Sequence, residues 1–123
     1  MTGRRDRPEA LLLDRAVAAE TAELVRELRA VGRAVGLAGS PAEVDGAANG
    51  FDVVVDSSAA GAAKPSREFF AAACLALGQP AARCLFVDPE DRNVRGARAA
   101  GLLAYRWSGP DGIRYLRAAL GLP

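Results

Sequence analysis

Ala10-Leu11-Leu12-Leu13-Asp14 runs four apolar residues straight into a carboxylate. A short, nearly continuous apolar run reads as a strand covered on both faces, as strands of parallel sheets are. The aspartate that ends it then sits at the carboxyl edge of the sheet, where a charge is either costly or useful. The pattern recurs at Ala34–Ala38, Phe51–Asp56, Arg83–Asp88 and Leu102–Trp107.

Between these runs the apolar spacing becomes helical. Val17, Thr21, Leu24, Val25, Leu28 and Val31 line one face of a helix that Gly32 stops. A short helix is expected from about Pro41 to Ala48. Another starts at Ser66 as N-cap, buries Phe69, Phe70, Ala73, Cys74 and Leu77, and ends at Gly78 before Pro80. Two more cover Arg92 to Ala100 and roughly Asp111 to Leu120. Five strands alternating with five helices predict an α/β fold, a three-layer α/β/α sandwich on a five-stranded parallel sheet. Right-handed crossovers leave a Rossmann-like or a flavodoxin-like strand order. One domain over residues 1–123 is expected, with residues 1–8 a flexible basic end.

Composition removes several classes of function. A net charge of +1 creates no field for nucleic acid. No apolar stretch is long enough to span a bilayer. Cys74 and Cys84 fit no zinc spacing, and a reduced, cytoplasmic setting is expected. The absence of histidine rules out Ser-His-Asp and Cys-His nucleophiles and His-based metal sites. Lys64 is the only lysine among sixteen basic residues. Nucleotide composition accounts for the fifteen arginines but leaves the single ammonium to be explained.

In such a sheet the strands deliver Asp14, then Gly39 and Ser40, then Asp56 through Lys64, then Asp88 to one edge. Carboxylates that converge repel one another unless a cation joins them, and hard oxygen donors suit Mg²⁺. A lysine among them balances charge and can hold an anionic substrate group.

Those residues carry a resemblance. Lys64-Pro65, Phe70, Leu85-Phe86-Val87-Asp88, Asn93-Val94, Gly96-Ala97-Arg98 and Ala100-Gly101 resemble, in order and spacing, the second half of a haloacid dehalogenase (HAD) superfamily hydrolase. Leu28-Arg29 to Pro41 resembles the approach to that family's second motif, and Ala10–Asp14 its nucleophile strand. The resemblance implies Mg²⁺-dependent phosphoryl transfer or hydrolysis through an aspartyl intermediate. Position by position, Asp14 matches the nucleophile, Lys64 the motif-three lysine, and Asp88 the first acid of motif four. Gly39 or Ser40 falls in the phosphate-binding slot, which Lys64 shares, and the hydroxyl favours Ser40. Asp14, the carbonyl of Ala16, Asp88 and Asp91 are the implied metal ligands.

The departures matter as much. Ala16 stands where the family's acid/base aspartate belongs, Val17 and Ala18 replace its Gly-Thr, and Pro89 replaces a common second acid. A helix starting at once after Asp14 leaves no room for a flap or cap domain. A hydrolase-like domain with weak or lost chemistry is therefore expected. The alternative is a working capless phosphatase acting on a macromolecule or a phosphorylated small substrate. The uncovered top would suit a partner protein or a homodimer.

Two rival readings come from other classes. Phe51–Asp56 also resembles the strand of a receiver domain that ends in a phospho-accepting aspartate, here Asp56. Against it, strand one ends Asp14-Arg15 rather than in an acidic pair, and no lysine follows strand five. A non-catalytic interaction module would use Trp107, Tyr105, Tyr115 and Leu116. Tyr105 and Leu116 read as core residues and Trp107 as a partly exposed one.

Overall fold

A computed structural model describes residues 7–39 and 50–123 of the chain. Five strands, β1 (Ala10–Asp14), β2 (Ala34–Ala38), β3 (Val53–Val55), β4 (Cys84–Asp88) and β5 (Leu103–Arg106), form one sheet in the order β3-β2-β1-β4-β5. Every pairing is parallel. That is the Rossmann-like order, and it decides between the two arrangements left open by the pattern. It also weighs against the receiver reading, in which the aspartate-bearing third strand is central; here β3 is an edge strand.

Helices α1 (Arg15–Ala18), α2 (Ala22–Ala30), α3 (Ser57–Ala60), α4 (Arg67–Leu77), α5 (Asp91–Ala99) and α6 (Gly112–Leu120) complete the described secondary structure with a 3₁₀ turn at Ala81–Arg83. The expected helix at Pro41 to Ala48 lies outside the described residues. Alternation along β1 sorts the core. Leu11 and Leu13 pack with Leu24, Val25, Leu28 and Leu116 on one face, while Ala10 and Leu12 pack with Phe70, Ala73, Leu77 and Phe86 on the other. Apolar layers on both faces make the sandwich.

Helix α4 forms as its sequence dictates. Ser66 Oγ accepts the Phe69 amide at 3.2 Å, and Gly78 closes the helix in the left-handed region at φ 73°. The first helix does not form as one piece. It breaks at Ala19–Thr21, where Glu20 and Thr21 amides turn back to the Val17 and Ala18 carbonyls and the buried Thr21 hydroxyl donates to the Val17 carbonyl at 2.9 Å. A side-chain hydroxyl competing for a helix carbonyl offers this alternative to straight continuation.

Two further expectations are corrected. Trp107 is buried, its Nε1 donates to Glu20 Oε1 at 2.7 Å, and a Cβ at Gly112 would lie 2.8 Å from its ring. It is a core residue and no candidate for a contact face. Tyr105 is only partly buried and stacks on the half-exposed Tyr115, with ring centroids 4.2 Å apart. At the chain start Pro8 is buried and the Arg7 carbonyl accepts from Arg83, so these two residues are tied to the fold. Among the described residues, no helix is long and apolar enough to cross a membrane.

Candidate active site

Asp14 and Asp88 end neighbouring parallel strands, so register alone brings both carboxylates to the carboxyl edge of the sheet. The crevice beyond them lies where the strand order reverses, between β1 and β4, which is where open α/β sheets bind ligands. Lys64 enters from the loop before α4. Its Nζ lies 2.7 Å from Asp14 Oδ1 and 3.1 Å from Asp88 Oδ2. The chain's one ammonium thus joins the two strand-end carboxylates. The Phe86 ring centroid is 5.9 Å below it, at the outer reach of a cation–π contact. Burial disfavours the Lys64 charge, but Asp14 and then Asp88 outweigh that effect and hold its pKa above the ordinary lysine value.

The remaining oxygen partners come from helix starts. Asp14 caps α1, its Oδ2 accepting the Ala16 amide at 2.9 Å. Asp88 Oδ1 accepts the Glu90 amide at 2.7 Å, and its Oδ2 also accepts Asn93 Nδ2 at 3.2 Å. Among the described residues no buried side-chain nitrogen or oxygen lacks a partner.

The loop carrying Lys64 is clamped by close backbone approach. The Lys64–Pro65 peptide is cis, and Gly96 of α5 lies flat against it. A Cβ at Gly96 would stand 2.5 Å from Pro65 Cβ and 2.6 Å from the Pro65 carbonyl oxygen, closer than atoms can approach. Only glycine lets α5 sit there, and the same helix brings Asn93 to Asp88. An open cavity of about 300 Å³ adjoins the bridge, lined in part by Gly39, Ser57, Lys64, Glu90, Arg92 and Asn93.

The structure therefore unites Asp14, Lys64 and Asp88 and leaves other candidates elsewhere. Ala16 presents its amide to Asp14, and its methyl group is exposed, with no acid at that position. Gly39 lines the cavity, but its amide donates to the Val55 carbonyl at 3.0 Å. Ser40 lies outside the described residues. Asp91 Oδ2 meets Arg95 Nε at 2.7 Å one helical turn on, and both side chains are well exposed. Side chains four apart on a helix are neighbours, so Asp91 runs along α5 and not back toward Asp88. Among the described residues no group of three or more metal-ligating side chains forms.

Sequence reasoning missed Ser57, Arg92 and Asn93 as site residues. For Asn93 a signal existed. It lies five positions after Asp88, past a helix start, where the first turn can fold a side chain back onto the strand end. Ser57 lies in the stretch Asp56 through Lys64 expected at this edge, and nothing in the sequence marked Arg92.

A family profile for haloacid dehalogenase-like hydrolases matches residues 3–101 of this chain. The chain belongs to that family. Among solved structures, an uncharacterized protein from Corynebacterium glutamicum superposes with a TM-score of 0.82 at 23% identity, covering 94% of this chain and 96% of that one. A HAD-family enzyme from Bacteroides thetaiotaomicron, an Asp-to-Ala mutant in complex with magnesium and inorganic phosphate, superposes with a TM-score of 0.61 at 21% identity, over 73% of this chain and 53% of that one. A Mycobacterium tuberculosis protein described as phosphatase MT3486 is 46% identical over 54 residues, which are 44% of this chain and 25% of the phosphatase. The match to that relative thus spans only a quarter of its length.

Proposed function

We propose that this HAD-family domain keeps the phosphate-binding and nucleophile side of a phosphoryl-transfer site while its hydrolytic turnover is weak or lost. One observation carries the reading: Lys64 bridges Asp14 and Asp88, while the exposed methyl of Ala16 occupies the acid position beside them. The phosphatase relative and the magnesium- and phosphate-bound neighbour support the class of chemistry.

Mg²⁺ fits the donor set in type and number, since this ion uses one or two carboxylates and keeps several waters. Asp14, Asp88 and the Ala16 carbonyl would hold it, and it would neutralise charge on the bound phosphoryl group. Asp14 attacks phosphorus through a carboxylate oxygen, forming an aspartyl phosphate as the bond to the leaving oxygen breaks. Lys64 holds that carboxylate in position and offsets negative charge at the phosphoryl oxygens. Asp88, pinned by the Glu90 amide and Asn93, fixes Lys64 from behind. Water then attacks the aspartyl phosphate at phosphorus and restores Asp14. No side chain at position 16 protonates the leaving oxygen, so it departs as an anion and only low-pKa leaving groups are displaced at useful rates. The missing help is worth about 10² to 10⁴ in rate.

The cavity, open among the described residues, suits a phosphoryl group presented by a larger molecule, or one enclosed by a second copy of the chain. Binding is tested by titrating Mg²⁺ and beryllium fluoride, a phosphoryl mimic, and following thermal stability. A rise in Tm that disappears in Asp14→Asn and persists in Asp56→Asn is expected. No response from the wild type would leave only the scaffold. Chemistry is tested by Ala16→Asp, which should accelerate hydrolysis of an unactivated phosphate ester by about tenfold or more by restoring an acid.

A further inference from the structure

Away from this site, the two cysteines form a pair. Cys74 lies on α4 and Cys84 begins β4, ten positions apart in sequence. Both are free, and both face the same apolar layer between α4 and the sheet. The turn between them and the shared apolar layer bring the two side chains to the same place. Gln79 ties them from the turn between: its amide donates to the Cys74 carbonyl at 3.2 Å, and its carbonyl accepts from Cys84 Sγ at 3.8 Å. The two members differ in access. Cys84 is 0% exposed, whereas Cys74 is 7% exposed and lines an open surface cavity of about 370 Å³ with Arg67, Leu75, Gln79 and Ala100.

We propose that Cys74 and Cys84 are a redox pair that closes reversibly to an intrachain disulfide when a hydroperoxide enters the cavity beside Cys74. The Cys74 thiolate attacks the peroxide, forming an S–O bond as the O–O bond breaks and hydroxide leaves. Cys84 then attacks the Cys74 sulfur. The S–S bond forms, the S–O bond breaks, and a second hydroxide leaves with the released proton as water. Two thiols and one hydrogen peroxide become one disulfide and two waters, and a dithiol reverses the change. The neighbouring Cys84 thiol holds the pKa of Cys74 below the ordinary thiol value, and the Cys74 neighbour together with burial pushes that of Cys84 up. Cys74 is thereby the attacking member and Cys84 the resolving one. Because Lys64 precedes α4 and Asp88 ends β4, the disulfide would link the two elements next to the site's cation and its buried carboxylate.

The test treats the reduced full chain with hydrogen peroxide, then denatures, alkylates and weighs it. Loss of both thiols together is expected, with a mass decrease of two hydrogens and full recovery on adding dithiothreitol. Trypsin should release residues 68–83 and 84–92 as one cross-linked species. In Cys84→Ser, Cys74 should be trapped by dimedone as a sulfenic acid, while Cys74→Ser should leave Cys84 reduced. Circular dichroism confirms that both variants fold. The proposal is overturned if wild-type Cys74 passes to the sulfinic acid with Cys84 still alkylatable. It is equally overturned if the disulfide joins two chains, or if neither thiol reacts.

Discussion

Asp14 and Asp88 end adjacent strands and share one lysine, yet their surroundings differ. The Asp88 side chain is 1% exposed and receives Lys64, Asn93 and the Glu90 amide. The Asp14 side chain is 16% exposed and receives Lys64 and the Ala16 amide. A buried carboxylate with three donors on its two oxygens is held firmly in place. A partly exposed one at the crevice mouth is free to meet a substrate. The contrast separates what holds the site in place from what a substrate can reach.

The contrast can be broken most strongly at Asp88. Asp88→Ala leaves the Asn93 amide and Glu90 N–H unpaired and removes one of the partners of Lys64, so chemical denaturation should show a loss of about 3–5 kcal/mol. Lys64→Met should cost a similar amount near neutral pH, about 3 kcal/mol, because it leaves two carboxylates facing each other. A cost near zero by the same measurement would show that Lys64 is not needed to hold the two carboxylates together.

A smaller effect is expected from the clamp. Gly96→Ala forces a methyl into Pro65 and should cost about 1–3 kcal/mol while weakening the phosphoryl-mimic response. Retention of that response at full strength would show that α5 does not position Lys64. Asp14→Asn should cost about 1 kcal/mol or less, because asparagine caps a helix about as well as aspartate. Equal stability losses for Asp14→Asn and Asp88→Asn would erase the distinction between the two carboxylates.

The smallest effect is at alkaline pH. The Lys64 pKa is raised in the folded chain, so its contribution is fully present below the ordinary lysine value and is lost as pH rises through the folded one. Wild-type stability should therefore fall relative to Lys64→Met above roughly pH 10.5. Parallel curves through that window would show that the ammonium is not held by the carboxylates.

Much of the site was legible because strand ends are legible. An apolar run that stops at an aspartate places that aspartate at the sheet edge whatever the neighbours are, which located Asp14 and Asp88. The single lysine in an arginine-rich chain stood out by chemistry. The direction of Asp91 was not legible, because proximity in sequence does not set side-chain direction on a helix, and its carboxylate meets Arg95. Trp107 misled because a strand end looks exposed until α6 packs over it at Gly112. Thr21 fits a helical stripe equally well whether the helix continues or breaks beneath its hydroxyl.

By itself the sequence determined the α/β alternation, the strand-end carboxylates and the lone ammonium. These follow from local periodicity and residue chemistry, which act along the chain. Only the tertiary structure decided that β1 and β4 are neighbours, that Lys64 bridges their end carboxylates, that Asn93 reaches Asp88, and that Cys74 and Cys84 share one apolar layer. Those depend on which buried surfaces meet, as where Gly36 admits Val53 and Leu77, or Gly96 admits Pro65. An apolar face specifies that it must be covered, and close packing between distant residues selects what covers it.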